Sequence, residues 1–180
     1  WKGAGVAIPV FSLRSNDDFG EGEFMDLIPL IDWAKSVGLS MIQLLPVNDT
    51  VLTHTWKDSY PYNCVSVFAL HPIYLRISEM PKLSSKVTEY ILIEMKQELN
   101  KLDKIDYEEV MRAKSRFYKT IYDDNHRRFL QEPEYKAFYE KNKEVNELGL
   151  RDAFIKQMDY PKDLPMPYAV EGSKALFDRL

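Results

Sequence analysis

Cys64 is the only cysteine in this 180-residue chain. One thiol cannot close an internal disulfide, which excludes the disulfide-stapled secreted scaffolds and points to a reducing, cytoplasmic setting. Basic charge is also short: 24 Lys and Arg against 28 Asp and Glu leave a net charge of −4. Nucleic acid and anionic membranes both require a basic face, so neither is expected as a partner. No apolar run approaches the roughly 18 residues of a membrane-spanning helix, and no charged-then-apolar leader opens the sequence. The chain starts at Trp1 and reaches core-like residues at once, at Val6 to Val10, which reads as a segment cut from something longer. The histidines, His54, His71 and His126, are dispersed, none with a second soft ligand at zinc spacing, so neither a metal nor a cofactor is expected. There is no G-x-G-x-x-G, no Walker loop and no G-x-S-x-G elbow, and Gly20-Glu21-Gly22 is too short and too acidic to cradle a phosphate. Cys64 itself, beside Val65 and Val67, reads as a buried, inert thiol.

What remains is an ordinary globular composition, 45% hydrophobic and 29% charged, long enough to bury a sizeable core. Aromatics are plentiful at 13%, with eleven tyrosines, most of which read as helical core. Gly5 to Phe11 is a short apolar run bounded by glycine and polar residues, as in a buried strand. Ser12 to Gly22 is a loop. The apolar positions 24, 27, 28, 31 and 34 then follow helical spacing and end at Gly38. Pro29 is tolerated there only if the regular helix begins near Leu27, with Phe24 in a preceding turn. Leu39 to Pro46 is a second buried strand. Strand, helix and strand in about 40 residues make a βαβ unit with parallel strands, and a third strand is expected at Val65 to Leu70. After Pro81 the chain turns helical and charged. Val87, Ile91, Met95, Leu99 and Leu102 mark one amphipathic helix within Ser84 to Leu102. Asp106 and Glu109 form a capping box that opens a second helix through Val110, Ala113, Phe117 and Ile121, and Pro133 suits the first turn of a third. The expected organisation is α/β residues 1–80, a helical insertion over 81–158, and a turn-rich segment over 159–180.

Ligands of parallel α/β folds bind beyond the C-terminal ends of the strands, and Asn48, Asp49 and Thr50 follow the second strand directly. The loop that comes next carries Asp58, Ser59, Tyr60 and Tyr62. Carboxylates and amides bind sugar hydroxyls, and flat rings stack on the apolar face of a sugar, so this mixture suits a carbohydrate. The same carboxylates have local alternatives: Asp49 can cap a turn, and Asp58 can simply solvate a loop.

Five stretches in fixed order carry a family resemblance: GAGVAIPVFSLRS, GEGEF-x-DL, DWAKSVG, QLLPVNDT and DSYPY-x-x-x-SVFALHP-x-YLR. Together they resemble the start of the 4-α-glucanotransferase family, the amylomaltase and disproportionating-enzyme group, in its larger maltose-metabolising branch. The resemblance is dense over Gly3 to Ile77. It continues weakly through Ile105-Asp106-Tyr107-Glu108 and Phe138 to Asn142, which are similar to that branch's helical insertion. It implies a (β/α)8 TIM barrel that moves α-1,4-glucan segments between malto-oligosaccharides or polysaccharide acceptors, without metal or cofactor. The implied mechanism is retaining, with a carboxylate nucleophile and a carboxylic acid proton donor. By position it implies that Ser59 and Tyr62 touch sugar near the cleavage point, with Asp58, Tyr60, Asn48 and Asp49 around them and Ser12 and Arg14 shaping the same rim.

The family's catalytic carboxylates lie on later strands, and nothing from Lys143 to Leu180 resembles those segments. A barrel takes at least about 200 residues and eight strands, so this chain is expected to form only its N-terminal βα portion plus the insertion, incomplete as a barrel and inactive alone. Its expected partners are α-1,4-glucans and whatever covers the open strand edges, the rest of the barrel or another chain. The other readings are a non-catalytic glucan-binding remnant and a helical scaffold subunit of a larger assembly.

Overall fold

The computed structural model describes residues 2–143; the turn-rich segment expected over 159–180 lies outside them. Strand β1 (Gly5–Ile8) pairs in parallel with β2 (Met41–Leu44), in a register that sets Gly5 opposite Met41 and Ile8 opposite Leu44. The crossover between them is helix α1 (Leu27–Ser36). As the proline argument requires, Phe24–Asp26 forms a separate tight turn, and Pro29 falls in the first turn of α1, where an amide N–H has no intrahelical acceptor. At the other end Gly38 takes φ +76°. Its N–H reaches the Lys35 carbonyl at 3.2 Å and the Leu39 N–H reaches the Ala34 carbonyl at 2.9 Å, the two bonds of a Schellman stop.

Two expectations about the sheet fail. Its strands are not buried: Met41 is 50% and Leu44 37% exposed, and Ile28 and Ile31 of α1 and Val37 just after it are each about half exposed. A sheet of two strands has no neighbour to cover these side chains among the described residues. The third strand, at Val65 to Leu70, does not form. That segment meets the chain after β2 through a single antiparallel bridge, Asn48 to Leu70. The Asn48 side chain donates to the Val67 carbonyl (2.9 Å), so a side chain takes an acceptor that a regular ladder would give to backbone. Cys64 is half-buried there rather than buried.

The helical part follows its periodicity. Helix α2 (Lys86–Asn100) is capped by Ser85, and helix α3 (Tyr107–Phe129) by Asp106, whose carboxylate accepts the Glu109 N–H at 3.1 Å. Only that half of the expected capping box forms, because the Glu109 side chain turns to Arg112. A further helix, α4, begins at residue 133 and runs through 143. Val110, Ala113, Phe117 and Ile121 form the buried stripe of α3, and that stripe serves two core clusters. One joins Val110 to Val10, Ile73 and Tyr74; the other joins Phe117 to Phe19 and Ile77. Helix α3 therefore packs on residues from the N-terminal βα part in both. No helix of the described residues is long and apolar enough to cross a membrane.

Phe117 is fully buried and sits edge-on to Phe19, ring centres 6.2 Å apart. Phe117→Ala is expected to cost about 3–5 kcal/mol, because the cavity it leaves cannot collapse onto a rigid helix face. Exposed Tyr122→Ala on the same helix should change stability by less than about 0.5 kcal/mol. Urea unfolding of the two variants measures the difference.

Candidate functional site

Beyond β2 the chain builds a loop around one carboxylate. Asp58 is buried, and its oxygens accept the N–H groups of Leu52 (3.1 Å), Thr53 (2.9 Å) and His54 (2.7 Å) and the Thr53 hydroxyl (2.8 Å). Burial alone would raise its pKa, but these donors outweigh it and hold the carboxyl below its ordinary value. His54 adopts φ 56° to present its N–H, a left-handed backbone that a histidine takes only where the surroundings demand it. The Thr50 hydroxyl donates to the Asp58 carbonyl, which ties the start of the loop to its end. Residues Trp56–Ser59 then form a single tight turn capped by Thr55.

This loop walls a cavity of about 570 Å³. Asn48, Trp56 and Ser59 line one side, and Leu102, Ile105 and Glu108, from the approach to α3, line the other. The Trp56 N–H donates to the Glu108 carboxylate (2.7 Å) and joins the two walls. Glu21, His71 and Tyr107 lie deeper. His71 Nδ1 accepts the Ile73 N–H (3.1 Å), so the ring proton sits on Nε2, facing the Tyr107 hydroxyl at 3.0 Å. Burial, first of all, lowers the His71 pKa and keeps the ring neutral.

Under the cavity lies a buried ionic cluster. Lys114 of α3 is completely buried, and its Nζ donates to Glu23 Oε1 (2.6 Å) and to the carbonyls of Leu75 (3.1 Å) and Ile73. The other Glu23 oxygen accepts from Arg76 Nε (2.7 Å), and the same guanidinium reaches Asp26. Asp26 also accepts from the Ser15 hydroxyl and the Glu23 N–H, each at 2.7 Å. Asp18 caps the Ser15 and Gly20 N–H groups and lies 3.7 Å from Arg14. Burial drives the Lys114 pKa down and the Glu23 pKa up, and their direct contact opposes both shifts. Gly22 sets this geometry, since a Cβ there would collide with the carbonyl oxygen of Val10; the loop backbone presses onto the β1 exit and carries Glu21 and Glu23 inward. Glu21 is left over. It is 3% exposed, and its Oε2 has no hydrogen-bond partner among the described residues. Burial, reinforced by Glu23 and Asp18 against the pull of Lys114, pushes its pKa to about 8.

The residues singled out in the sequence divide into three groups. Asn48, Asp58 and Ser59 line the cavity, although the Asp58 carboxylate is taken up by the loop. Tyr60 and Tyr62 are 61% and 59% exposed and form a tilted pair outside the lining, ring centres 5.6 Å apart. Asp49 turns away, its carboxylate capping the Val51 N–H at 2.9 Å, and Arg14 reaches the Asn100 side chain (2.7 Å) on α2. Sequence reasoning missed Glu21, Glu23, Arg76, Lys114 and His71. One signal was available: Lys114 falls on the apolar stripe of α3, and a lysine buried there needs a buried acid.

The parallel βαβ unit, with a cavity past its strand ends lined by apolar, aromatic and a few polar side chains, has the architecture of the α/β class. Residues 8–159 match the sequence profile of the 4-alpha-glucanotransferases, and the chain belongs to that family. The rice 4-alpha-glucanotransferase DPE2 is 44% identical over 146 residues, which cover 80% of this chain and 15% of that protein. The 4-alpha-glucanotransferase of Chlamydia caviae is 38% identical over 118 residues, 66% of this chain and 21% of that one. The chain thus spans about a fifth or less of these relatives. Among solved structures, amylomaltase from Corynebacterium glutamicum superposes with a TM-score of 0.68, over 97% of this chain and 26% of its own, at 19% identity; that likeness concerns the fold.

Two stability effects follow from the cluster. Lys114→Met leaves Glu23 with one cation fewer in a dry site and should cost about 3–5 kcal/mol, part of which a second change, Glu23→Gln, restores. Glu21 has a folded-state pKa above its unfolded value of 4.5, so its contribution is present below 4.5 and is lost as pH rises through about 8. Urea unfolding across pH should therefore show Glu21→Gln gaining on the wild type between those values, with a constant difference above them.

Proposed function

We propose that this chain is the N-terminal part of the catalytic domain of a 4-α-glucanotransferase. In this reading the βαβ unit opens a (β/α)8 barrel that transfers α-1,4-glucan segments between malto-oligosaccharides or polysaccharide acceptors by retaining double displacement. The catalytic carboxylates come from segments outside this sequence, and the chain supplies sugar contacts. The observation that carries the reading is the family match over residues 8–159. The site chemistry supports it. Ser59 and Asn48 offer hydroxyl and amide groups at the cavity wall, and the exposed Tyr60–Tyr62 pair offers flat rings beside it. Asp58 and Asp49 act on the loop backbone, through the His54 and Val51 N–H groups. The half-exposed apolar side chains of α1 and β2 are the surface on which the remaining barrel packs. The lone cysteine accords with a cytoplasmic setting.

The test uses the protein encoded by the complete gene, with maltotriose as substrate. Glucose and longer malto-oligosaccharides should accumulate without net hydrolysis. Tyr62→Ala should lower kcat/KM about tenfold or more, the scale of one lost ring–sugar contact. Residues 1–180 alone should show no turnover. A complete protein that leaves maltotriose unchanged refutes the assignment, and turnover by residues 1–180 refutes the claim that the carboxylate pair lies elsewhere.

A further inference from the structure

Among the described residues, Glu21 is the one acid of the buried cluster without a counterpart. Asp18, Glu23 and Asp26 face Arg14, Lys114 and Arg76, so the carboxyl groups outnumber the cations by one. The odd one is the group whose Oε2 is unpartnered, and it lines the cavity. A carboxyl group in that position avoids an uncompensated buried charge by holding its proton. It is then an O–H donor on a residue that lines the cavity, with no acceptor among the described residues.

We propose that Glu21 is a specificity-determining residue of this cavity, a neutral carboxylic acid that donates its proton in a hydrogen bond to one hydroxyl of an uncharged sugar and makes binding there proton-dependent. The inference rests on the reading that the cavity takes a glucan, and adds which residue grips it and at which protonation state. The surroundings select this ligand class. An anion would meet three further carboxylates in the lining, Asp58, Asp106 and Glu108, against one lysine, Lys104. A hydroxyl accepts the acid's proton and can return its own hydrogen to Oε1, whereas an ether or an aliphatic group would leave one of the two unmet.

The groups facing Glu21 are Lys114, Tyr107 and Tyr118 from α3, Tyr74 from the turn after His71, and Asp18 and Glu23 from its own loop. Burial raises the three tyrosines above their ordinary value, so they stay neutral through the range in which Glu21 titrates. Lys114, whose pKa is lowered, and Asp18 and Glu23, whose pKa values burial raises, are the other groups that could titrate, and comparison with Glu21→Gln separates Glu21 from them.

The experiment titrates the complete protein with a thio-linked, non-cleavable maltotriose between pH 6 and pH 9.5. Binding is followed by the fluorescence of Trp56, which lines the cavity and whose signal is assigned by its loss in Trp56→Phe. The expected Kd for the wild type rises about tenfold or more as pH passes about 8, the cost of exchanging a hydrogen-bond donor for a buried charge. Glu21→Gln, still neutral and still able to donate, should keep a flat profile within about threefold of the wild type's low-pH Kd, the spread expected of one altered polar contact. A wild-type profile as flat as that of the variant overturns the role of Glu21 and leaves the glucan reading standing. Absence of any sugar binding overturns both. Affinity that rises with pH means that the ionised carboxylate holds the sugar as a hydrogen-bond acceptor, and also overturns the inference. Should Glu21→Gln not fold, the wild type still decides: at pH 6.5 the infrared C=O stretch of the neutral acid must shift when the sugar binds, and an unmoved band refutes the hydrogen bond.

Discussion

One ammonium group organises this molecule. Lys114 lies in the apolar stripe of α3 with no access to water, and a lone charge there would cost several kcal/mol. It is tolerable only because Glu23 and the carbonyls of Ile73 and Leu75 surround it. Those partners come from two places far apart in sequence: the loop that leaves β1, and the turns that follow His71. Satisfying one nitrogen therefore fixes the helix against both, and Arg76 repeats the constraint from the other side of Glu23. The apolar clusters around Val110 and Phe117 supply most of the burial, while the ionic cluster sets the register in which they meet.

The cavity is a consequence of that docking. With α3 held by Lys114, its first turn and the residues before it stand opposite the loop after β2, and the gap between them is the cavity. Each wall is rigid for its own reason. Asp58 ties the Leu52–His54 backbone to its carboxylate, and His71 bridges the Ile73 N–H and the Tyr107 hydroxyl. In the glucan reading, such preorganisation would let a weakly binding class of ligand, a neutral sugar, be held without first ordering the site. The clustering of so many acids in the preceding loop leaves one carboxyl surplus among the described residues, on a residue that lines the cavity.

Much of this was legible in the sequence, and the gaps have physical causes. The crossover helix could be read to the residue because Pro29 and Gly38 act locally, through a missing N–H and a left-handed φ. The stripe on α3 and its Asp106 cap were equally local. Val65 to Leu70 has strand composition, yet it meets residues 47–49 by scattered backbone bonds and the Asn48 side chain rather than by a regular ladder. Asp58 lines the cavity while its carboxylate is taken up by the loop, an engagement that the sequence does not reveal, since the identity of a carboxylate does not show how many backbone N–H groups converge on it. Ser59, Tyr60 and Tyr62 were read from family position, and their exposed placement on the loop is compatible with that role without deciding it. The buried cluster went unread because its members are spread from Asp18 to Lys114, and no spacing rule links them.

The exposed apolar side chains of α1 and β2 are the remaining unsatisfied feature, and in the glucanotransferase reading they are where the barrel continues. The central claim is that the space between the Asp58 loop and α3 holds the glucan. A crystal structure of the complete protein with the non-cleavable maltotriose bound tests it most directly. The account predicts a sugar ring in that cavity, with one hydroxyl within about 3 Å of a Glu21 carboxyl oxygen and another within reach of Ser59. Sugar bound elsewhere with this cavity empty, or Glu21 paired to a protein group from another segment, would contradict it.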